Sequence, residues 1–156
     1  MELRIRGWLD NFSFGVKRDP IPGAHFRYIV TTGSGTKVIL GRFFDDLSSY
    51  ILLRVEIAPT TEEKKAIEAF TSEEQAILIA QTKLELNRAS IGYEGFTSLN
   101  GFAITKRIPI GHSLNEDTLI GAIGEMEAAY HVVFLTGAMA VAKRNLKERP
   151  LVLEEL

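Results

Sequence analysis

Two histidines, His112 and His131, carry the side chains best suited to acid–base or metal chemistry near neutral pH. His112 is followed by Glu116 and Asp117, from which a metal or acid–base site can be built. No second histidine lies in that segment, and capping and the helix dipole explain carboxylates in the first turn of a helix. His131 lies in an apolar run, where a lone histidine is usually a core residue. We therefore predict no catalytic residue, no metal and no cofactor.

The segment TTGSGTK at residues 31–37 has the glycines, lysine and threonines of a phosphate-binding loop. Such a loop must lead into a helix whose N-terminal amide groups meet the phosphate. Here it leads into VILGRFF, which is typical of a strand. We therefore predict a hairpin turn at residues 33–35 and no phosphate site.

The composition excludes several classes of site and partner. The 156 residues include no cysteine, which excludes disulfides, thiolate nucleophiles, iron–sulfur clusters and cysteine-based zinc sites. The 18 basic and 20 acidic residues give a net charge of −2 and are spread along the chain. That balance provides no electrostatic attraction to nucleic acid or to an anionic membrane. We therefore predict neither a nucleic-acid nor a membrane partner.

The N-terminal residues predict a helix rather than a targeting segment. Ile5, Trp8, Leu9 and Phe12 are spaced as one face of an amphipathic helix over residues 3–12. Charged residues interrupt the apolar run that a signal peptide requires. We therefore expect a cytoplasmic protein.

Several segments alternate apolar and polar residues with the period of two that half-buried strands show. They cover residues 24–32, 36–44, 50–58 and 101–110, with a weaker candidate at 91–98. The first three predict an antiparallel meander with one buried face. Asn100-Gly101 predicts a hairpin turn between the last two.

Helices are predicted between and after these strands. Three segments match the capping-box pattern, namely Thr60–Glu63, Ser72–Gln75 and Ser113–Glu116. They predict a short helix at 61–69, a longer one at 73–89 and a final one that runs to 144. The fold class is therefore α+β, with an antiparallel sheet of about five strands. The order is helix, three strands, one or two helices, two strands and a long helix.

The run AAYHVVFLTGAMAVA, residues 128–142, makes the last helix exceptionally apolar. It has about 15 uncharged residues, whereas a membrane span needs about 20, and charged residues bound it on both sides. A helix that is apolar all round must be buried all round, and one sheet covers one side of it. Either the same domain covers the other side or a second copy of the chain does. For a second copy, the candidate dimer face is Val132, Leu135 and Met139.

The order of elements resembles the type III secretion chaperone-like fold, with the amphipathic opening helix around Trp8 and Asn100-Gly101 before a long final helix. The resemblance covers residues 3–144 and is nearest to an uncharacterised archaeal or prokaryotic family of that fold. It implies a twisted antiparallel sheet packed on helices. Some members are small acidic cytoplasmic homodimers that hold extended segments of a client protein. The resemblance carries no site residue over to this chain.

We predict one α+β domain over residues 1–146 and a C-terminal tail over residues 147–156. The predicted function is a non-enzymatic, chaperone-like module that holds a peptide segment of a partner protein as a homodimer. Its candidate partner-binding residues are Trp8 and, on the outward face of strand 50–58, Tyr50 and Leu52. The alternative is a small-ligand sensor or enzyme with a pocket between the sheet and the last helix, near the two histidines.

Overall fold

The structure is a computed structural model that describes residues 1–44 and 49–148. The described residues form four helices and six strands. In chain order these are α1 (Glu2–Asp10), β1 (Gly15–Arg18), β2 (Ala24–Thr31), β3 (Lys37–Phe43), β4 (Tyr50–Ile57), α2 (Thr61–Glu68), α3 (Ser72–Arg88), β5 (Gly92–Glu94), β6 (Phe102–Pro109) and α4 (Glu116–Glu148). The predicted α+β class is confirmed, and so is the predicted order of elements apart from one additional strand, β1.

The six strands form one sheet in the order β1-β2-β3-β4-β6-β5, and all neighbouring strands are antiparallel. The sequence predicted about five strands. The sixth, β1, lies in a segment for which the sequence predicted no strand, and it pairs with β2 at one edge of the sheet. β4 pairs with β6 along its full length, from Tyr50 opposite Pro109 to Ile57 opposite Phe102.

The core lies between one face of the sheet and α1, α3 and α4. β2 buries Phe26, Tyr28 and Val30, as its alternation predicted, and β4 buries four residues of one face in the same way. From the helix side the first half of α4 contributes its largest buried residues, Leu119, Ile123 and Met126. Burying a side chain of this size stabilises the fold by roughly 1.5–3 kcal/mol, so this layer holds α4 on the sheet.

Two of the predicted capping boxes begin at the wrong residue. The box on α3 is Thr71 with Glu74, one residue before the predicted pair, because the Thr71 hydroxyl accepts from the Glu74 amide and the Glu74 carboxylate accepts from the Thr71 amide. At α4 the Asn115 side chain, rather than Ser113, accepts from the amide of Thr118. Thr60 caps α2 as predicted.

The TTGSGTK segment forms the predicted hairpin turn between β2 and β3. The Thr32 amide donates to the Thr36 carbonyl, and Gly35 takes a positive φ of 87° that favours glycine. The turn also touches α4, because the Ser34 hydroxyl donates to the Glu127 carboxylate at 2.9 Å. Hydrogen bonds from the Thr32 and Ser34 hydroxyls lower the pKa of Glu127, and the nearby charge of His131 lowers it further.

The predicted Asn100-Gly101 hairpin is wrong in detail. β5 and β6 do pair, with Gly92 opposite Thr105, but the connection covers residues 95–101 instead of a two-residue turn. At the chain end, α4 continues to Glu148 and takes in the first two residues of the predicted tail. The remaining tail residues, 149–156, lie outside the described residues.

Candidate functional site

A groove of about 590 Å³ with a mainly apolar lining lies beside the second half of α4, and we call it the apolar groove. Residues from α2, α3, α4, the end of β4 and the region around β5 and β6 surround it. They are Ile57, Pro59, Glu62, Glu63, Ala66, Ile67, Phe70, Leu78, Thr82, Phe96, Leu99, Phe102, Val133, Phe134, Gly137, Ala138, Val141, Ala142 and Asn145. Its volume falls within the range of roughly 300–1,000 Å³ that ligand sites occupy.

The base of the apolar groove is aromatic and closely packed. The Phe96 and Phe102 rings stack in parallel with centroids 3.7 Å apart, and Phe96 is itself buried. The Lys83 ammonium lies over the Phe96 ring at 5.4 Å. The neighbouring Thr82 hydroxyl donates to the Leu78 carbonyl of its own helix. The hydroxyl is thus already engaged, and the base offers a ligand mainly apolar surface.

The two side walls of the apolar groove differ in character. The α4 wall includes small residues, and a Cβ at Gly137 would meet no atom within 4 Å. The α2 wall presents Ala66 and Ile67 beside the acidic side chains of Glu62 and Glu63. None of the eight residues of α2 is fully buried, so this helix is held by few apolar contacts. The α4 wall therefore offers mainly small apolar residues, whereas the α2 wall adds two carboxylates to its apolar ones.

One end of the apolar groove is closed by contacts between α4 and the α2–α3 junction. The Arg144 guanidinium lies over the Phe70 ring at 5.6 Å and within 3.6 Å of the Glu74 carboxylate. The hydrogen bond from the Thr71 amide, together with the Arg144 charge, lowers the pKa of Glu74. These contacts fix the distance between the second half of α4 and the start of α3.

The side of α4 that faces away from the domain carries a second apolar surface, which we call the outer seam. All its members are exposed, and Val132, Leu135 and Met139 are 37%, 61% and 64% accessible. The seam consists of Ala128, Val132, Leu135, Met139, Ala142 and Leu146. The three residues predicted as a dimer face therefore lie together, exposed, on one side of the helix. Their role in dimerisation remains a prediction.

The candidate partner-binding residues do not form one surface. Trp8 is half-buried and packs against the core from α1. Tyr50 is half-buried on β4, whereas Leu52 is only 9% accessible, which contradicts its predicted exposure. Leu52 pairs with Gly41, and the Phe43 ring lies 3.1 Å from where a Cβ of that glycine would be. The Phe43 ring thus occupies the space beside Gly41, where a side chain would otherwise lie. Little room remains for a partner beside Leu52.

The two histidines lie apart from the apolar groove. His112 is exposed, and the nearby Glu116 carboxylate accepts a hydrogen bond from the Asn11 side chain at 3.0 Å. His131 is exposed and contacts the edge of the Tyr130 ring, so its predicted core position is wrong. Within residues 1–44 and 49–148 there is no cluster of three or more histidine, aspartate or glutamate side chains that could hold a metal ion.

Among the described helices, α4 is the one long and apolar enough to cross a bilayer, over residues 116–147. By the same criterion the central helix of a globular domain also qualifies. The first half of α4 lies in the core, and Glu125 pairs with Lys106 of β6. Insertion of α4 into a bilayer would break these contacts.

The alternative prediction placed a pocket between the sheet and the last helix, but it put the two histidines nearby and missed the walls from α2 and α3, because these come from distant parts of the chain. The signals that exist are local and weak. α2 has Ala66 and Ile67 as a short apolar stripe, and the second half of α4 has small residues at Gly137 and Ala138. The pattern within one helix cannot show that two such stripes face each other across a gap.

Comparison with known proteins places the fold in a family. No curated protein matches the chain. A crystal structure of an uncharacterized protein from Methanothermobacter thermautotrophicus is similar, with a TM-score of 0.79 and 22% sequence identity, and the match covers 88% of this chain and 96% of that one. A family model described as "Uncharacterized conserved protein (DUF2299)" matches residues 1–136, which include the whole sheet and more than half of α4. The chain therefore belongs to the DUF2299 family of uncharacterized conserved proteins.

Proposed function

We propose that this protein is a non-enzymatic binding module that holds an apolar peptide segment of a partner protein in the apolar groove. It acts as a cytoplasmic homodimer, in the manner of the chaperone-like fold that its element order resembles. The observation that carries the proposal is the groove itself, an open apolar trough between the second half of α4 and α2, with two carboxylates at its α2 side.

The chemistry of the lining favours a peptide over a polar metabolite. Sites for small polar ligands place several polar groups so that they converge on the ligand. Here the Thr82 hydroxyl is engaged by its own helix, and the remaining polar residues, Glu62, Glu63 and Asn145, lie on helices at the sides of the groove. Apolar side chains fit the base, whereas hydrogen-bonding groups would find few partners there.

The charge of the α2 wall indicates what flanks the bound segment. Glu62 and Glu63 place two carboxylates beside the apolar lining. A lysine or arginine next to the apolar residues of the segment would pair with them. The proposed occupant is thus a segment with closely spaced apolar residues, either an amphipathic helix or an extended strand, with a basic residue at one end.

A peptide-display selection tests this proposal. The probe is a phage library of random peptides, selected on the full chain. We expect enriched peptides with clustered apolar residues and a flanking basic residue. A synthetic consensus peptide should then bind with a Kd that rises at least about tenfold in Gly137→Leu, equivalent to about 1.4 kcal/mol, since a leucine there projects into the open space of the groove.

The matched control is Gly7→Leu, because Gly7 also lies in a helix and a Cβ added there would meet no atom within 4 Å. It should leave peptide binding unchanged. Peptides that bind Gly137→Leu as well as the native chain would contradict the proposal. A long-chain fatty acid that raises the melting temperature, with no peptide enriched, would instead favour the small-ligand alternative.

A further inference from the structure

The outer seam of α4 has the spacing of a coiled-coil seam. Its six members follow one another at intervals of four, three, four, three and four residues, from Ala128 to Leu146. Apolar residues repeated every 3.5 residues on average allow two helices to pack along a shared line, with each side chain seated between residues of the other helix. All six members are exposed.

The seam lies on the side of α4 opposite its buried face. With 3.6 residues per turn, Leu135, Met139 and Leu146 lie about half a turn around the helix from Leu119, Ile123 and Met126. The domain therefore packs against one side of α4, and the seam faces outward. A second helical body can reach the seam without disturbing the core, and within the seam Ala142 marks the border, because it also lines the apolar groove.

We propose that the outer seam pairs antiparallel with the outer seam of a second copy of this chain, with the two-fold axis crossing the seam midway between Leu135 and Met139. A two-fold axis makes the surface self-complementary, so that each residue meets its counterpart twice. About this axis Ala128 lies opposite Leu146, Val132 opposite Ala142, and Leu135 opposite Met139.

Side-chain volume selects this arrangement over the parallel one. In the antiparallel pairing each alanine meets a larger residue, so the volume is spread more evenly over the layers of the seam. In a parallel pairing Ala128 would meet Ala128 of the second copy, and Ala142 would meet Ala142. This leaves two layers with small side chains between layers with large ones.

Charge does not oppose the antiparallel pairing. The positions that flank the seam bring Thr136 opposite Thr136 and His131 opposite Asn145. Among the described flanking residues, therefore, no two like charges face each other across the two-fold axis. This inference rests on the homodimer of the proposed function and deepens it, and the seam shares one residue, Ala142, with the lining of the groove. Its test does not involve peptide binding, so either proposal can fail alone.

Because the chain has no cysteine, single cysteines can report the register without background. We would mix Val132→Cys and Ala142→Cys proteins and add a short bismaleimide cross-linker. The antiparallel pairing predicts a cross-linked dimer in the mixture and little cross-linking in either variant alone. The two copies of residue 132 would be roughly 15 Å apart along the helix direction. Efficient cross-linking of Val132→Cys alone would overturn the antiparallel register.

Charged substitutions in the full chain complete the test. Leu135→Asp should convert a dimer into a monomer of 17.4 kDa and keep its helical circular dichroism, since Leu135 is exposed. The control Leu84→Asp changes an exposed leucine of α3 and should keep the dimer. A monomeric native chain, together with no cross-linked dimer in the mixture of the two cysteine variants, would overturn the proposal. So would a monomer whose seam binds anionic phospholipid vesicles, since the seam would then be a membrane surface.

Discussion

The two halves of α4 are both apolar, but they differ in what covers them. The first half is buried against the sheet, with Leu119, Ile123 and Met126 almost inaccessible to solvent. In the second half, from Val132 onward, no described residue is fully buried. The first half thus accounts for the fold, whereas the second half borders the apolar groove on one side and carries the outer seam on the other. Apolar surface that a domain leaves uncovered over this length is a sign of a binding surface.

The greatest contrast should come from removing the same side chain in each half. Met126 is 0% accessible and Met139 is 64% accessible, on the same helix. Met126→Ala should lower the free energy of unfolding by roughly 2–5 kcal/mol, because it leaves a cavity in the core. In dilute solution Met139→Ala should change it by less than about 0.5 kcal/mol. Urea denaturation of both variants measures the two values.

The dependence of stability on protein concentration should also differ between variants in the two halves of α4. If the outer seam pairs with a second copy, the stability of the native chain rises with concentration and Met139→Ala loses part of that rise. The loss from Met126→Ala should persist at every concentration. Equal losses from both variants in dilute solution would show that Met139 is covered by its own domain.

The next effect compares the α2 wall of the apolar groove with the buried first half of α4. α2 has no fully buried residue, whereas the first half of α4 is anchored in the core. Amide hydrogen exchange should therefore be faster in α2 than in residues 119–126 by on the order of 100-fold, equivalent to roughly 2.7 kcal/mol of opening free energy. Mass spectrometry of the exchanged chain would measure it. Similar protection in both helices would mean that the α2 wall is fixed, and that the groove does not widen.

A smaller effect is expected where the second half of α4 meets the start of α3. Thr71 caps α3, and Glu74 of the same capping box contacts Arg144. Thr71→Ala should lower the free energy of unfolding by about 1 kcal/mol. The neighbouring Ser72→Ala, at the residue that the sequence pattern favoured as the cap, should cost less than about 0.5 kcal/mol. Thermal unfolding of both variants would distinguish them, and the reverse order would place the cap at Ser72.

The weakest effect is a pH dependence in the first half of α4. Hydrogen bonds from Thr32 and Ser34 lower the pKa of Glu127 below its ordinary value of 4.5. A lowered folded-state pKa stabilises the fold above pH 4.5, and this contribution disappears as the pH falls through the folded-state value. Melting temperatures measured from neutral pH down to the acid range should therefore fall less steeply for Glu127→Gln than for the native chain. Ser34→Ala should have a weaker effect of the same sign. An unchanged slope in both variants would contradict a contribution of these hydrogen bonds to stability.

The parts of the fold that depend on local patterns were predicted from the sequence. Alternation predicted one buried face for β2 and for β4, and the buried residues Leu119, Ile123 and Met126 of α4 recur at the spacing of one helix face. Both patterns repeat within a few residues, so a single element determines them. β1 was missed as a strand because it has four residues and buries none of them.

The parts that depend on contacts between distant elements could not be predicted. Leu52 lies on the face of β4 opposite its core residues, yet it is only 9% accessible, and the Phe43 ring lies beside its paired residue Gly41; no local pattern shows this arrangement across strands. The cap of α3 differs from its prediction by one residue, since Thr71 and Ser72 are both suitable caps and packing decides between them. The apolar groove requires α2 and α4 to face each other. The outer seam is a property of one helix, and half of it was recognised in the sequence as Val132, Leu135 and Met139.

Whether a second copy of the chain covers the exposed side of α4 can be measured as a mass in solution. The experiment is sedimentation equilibrium of the native protein over a wide dilution series. We predict a mass near twice 17.4 kDa that declines toward 17.4 kDa only at the lowest concentrations, and a constant 17.4 kDa for Leu135→Asp. A native chain that has a mass of 17.4 kDa at every concentration would contradict the pairing of the outer seams.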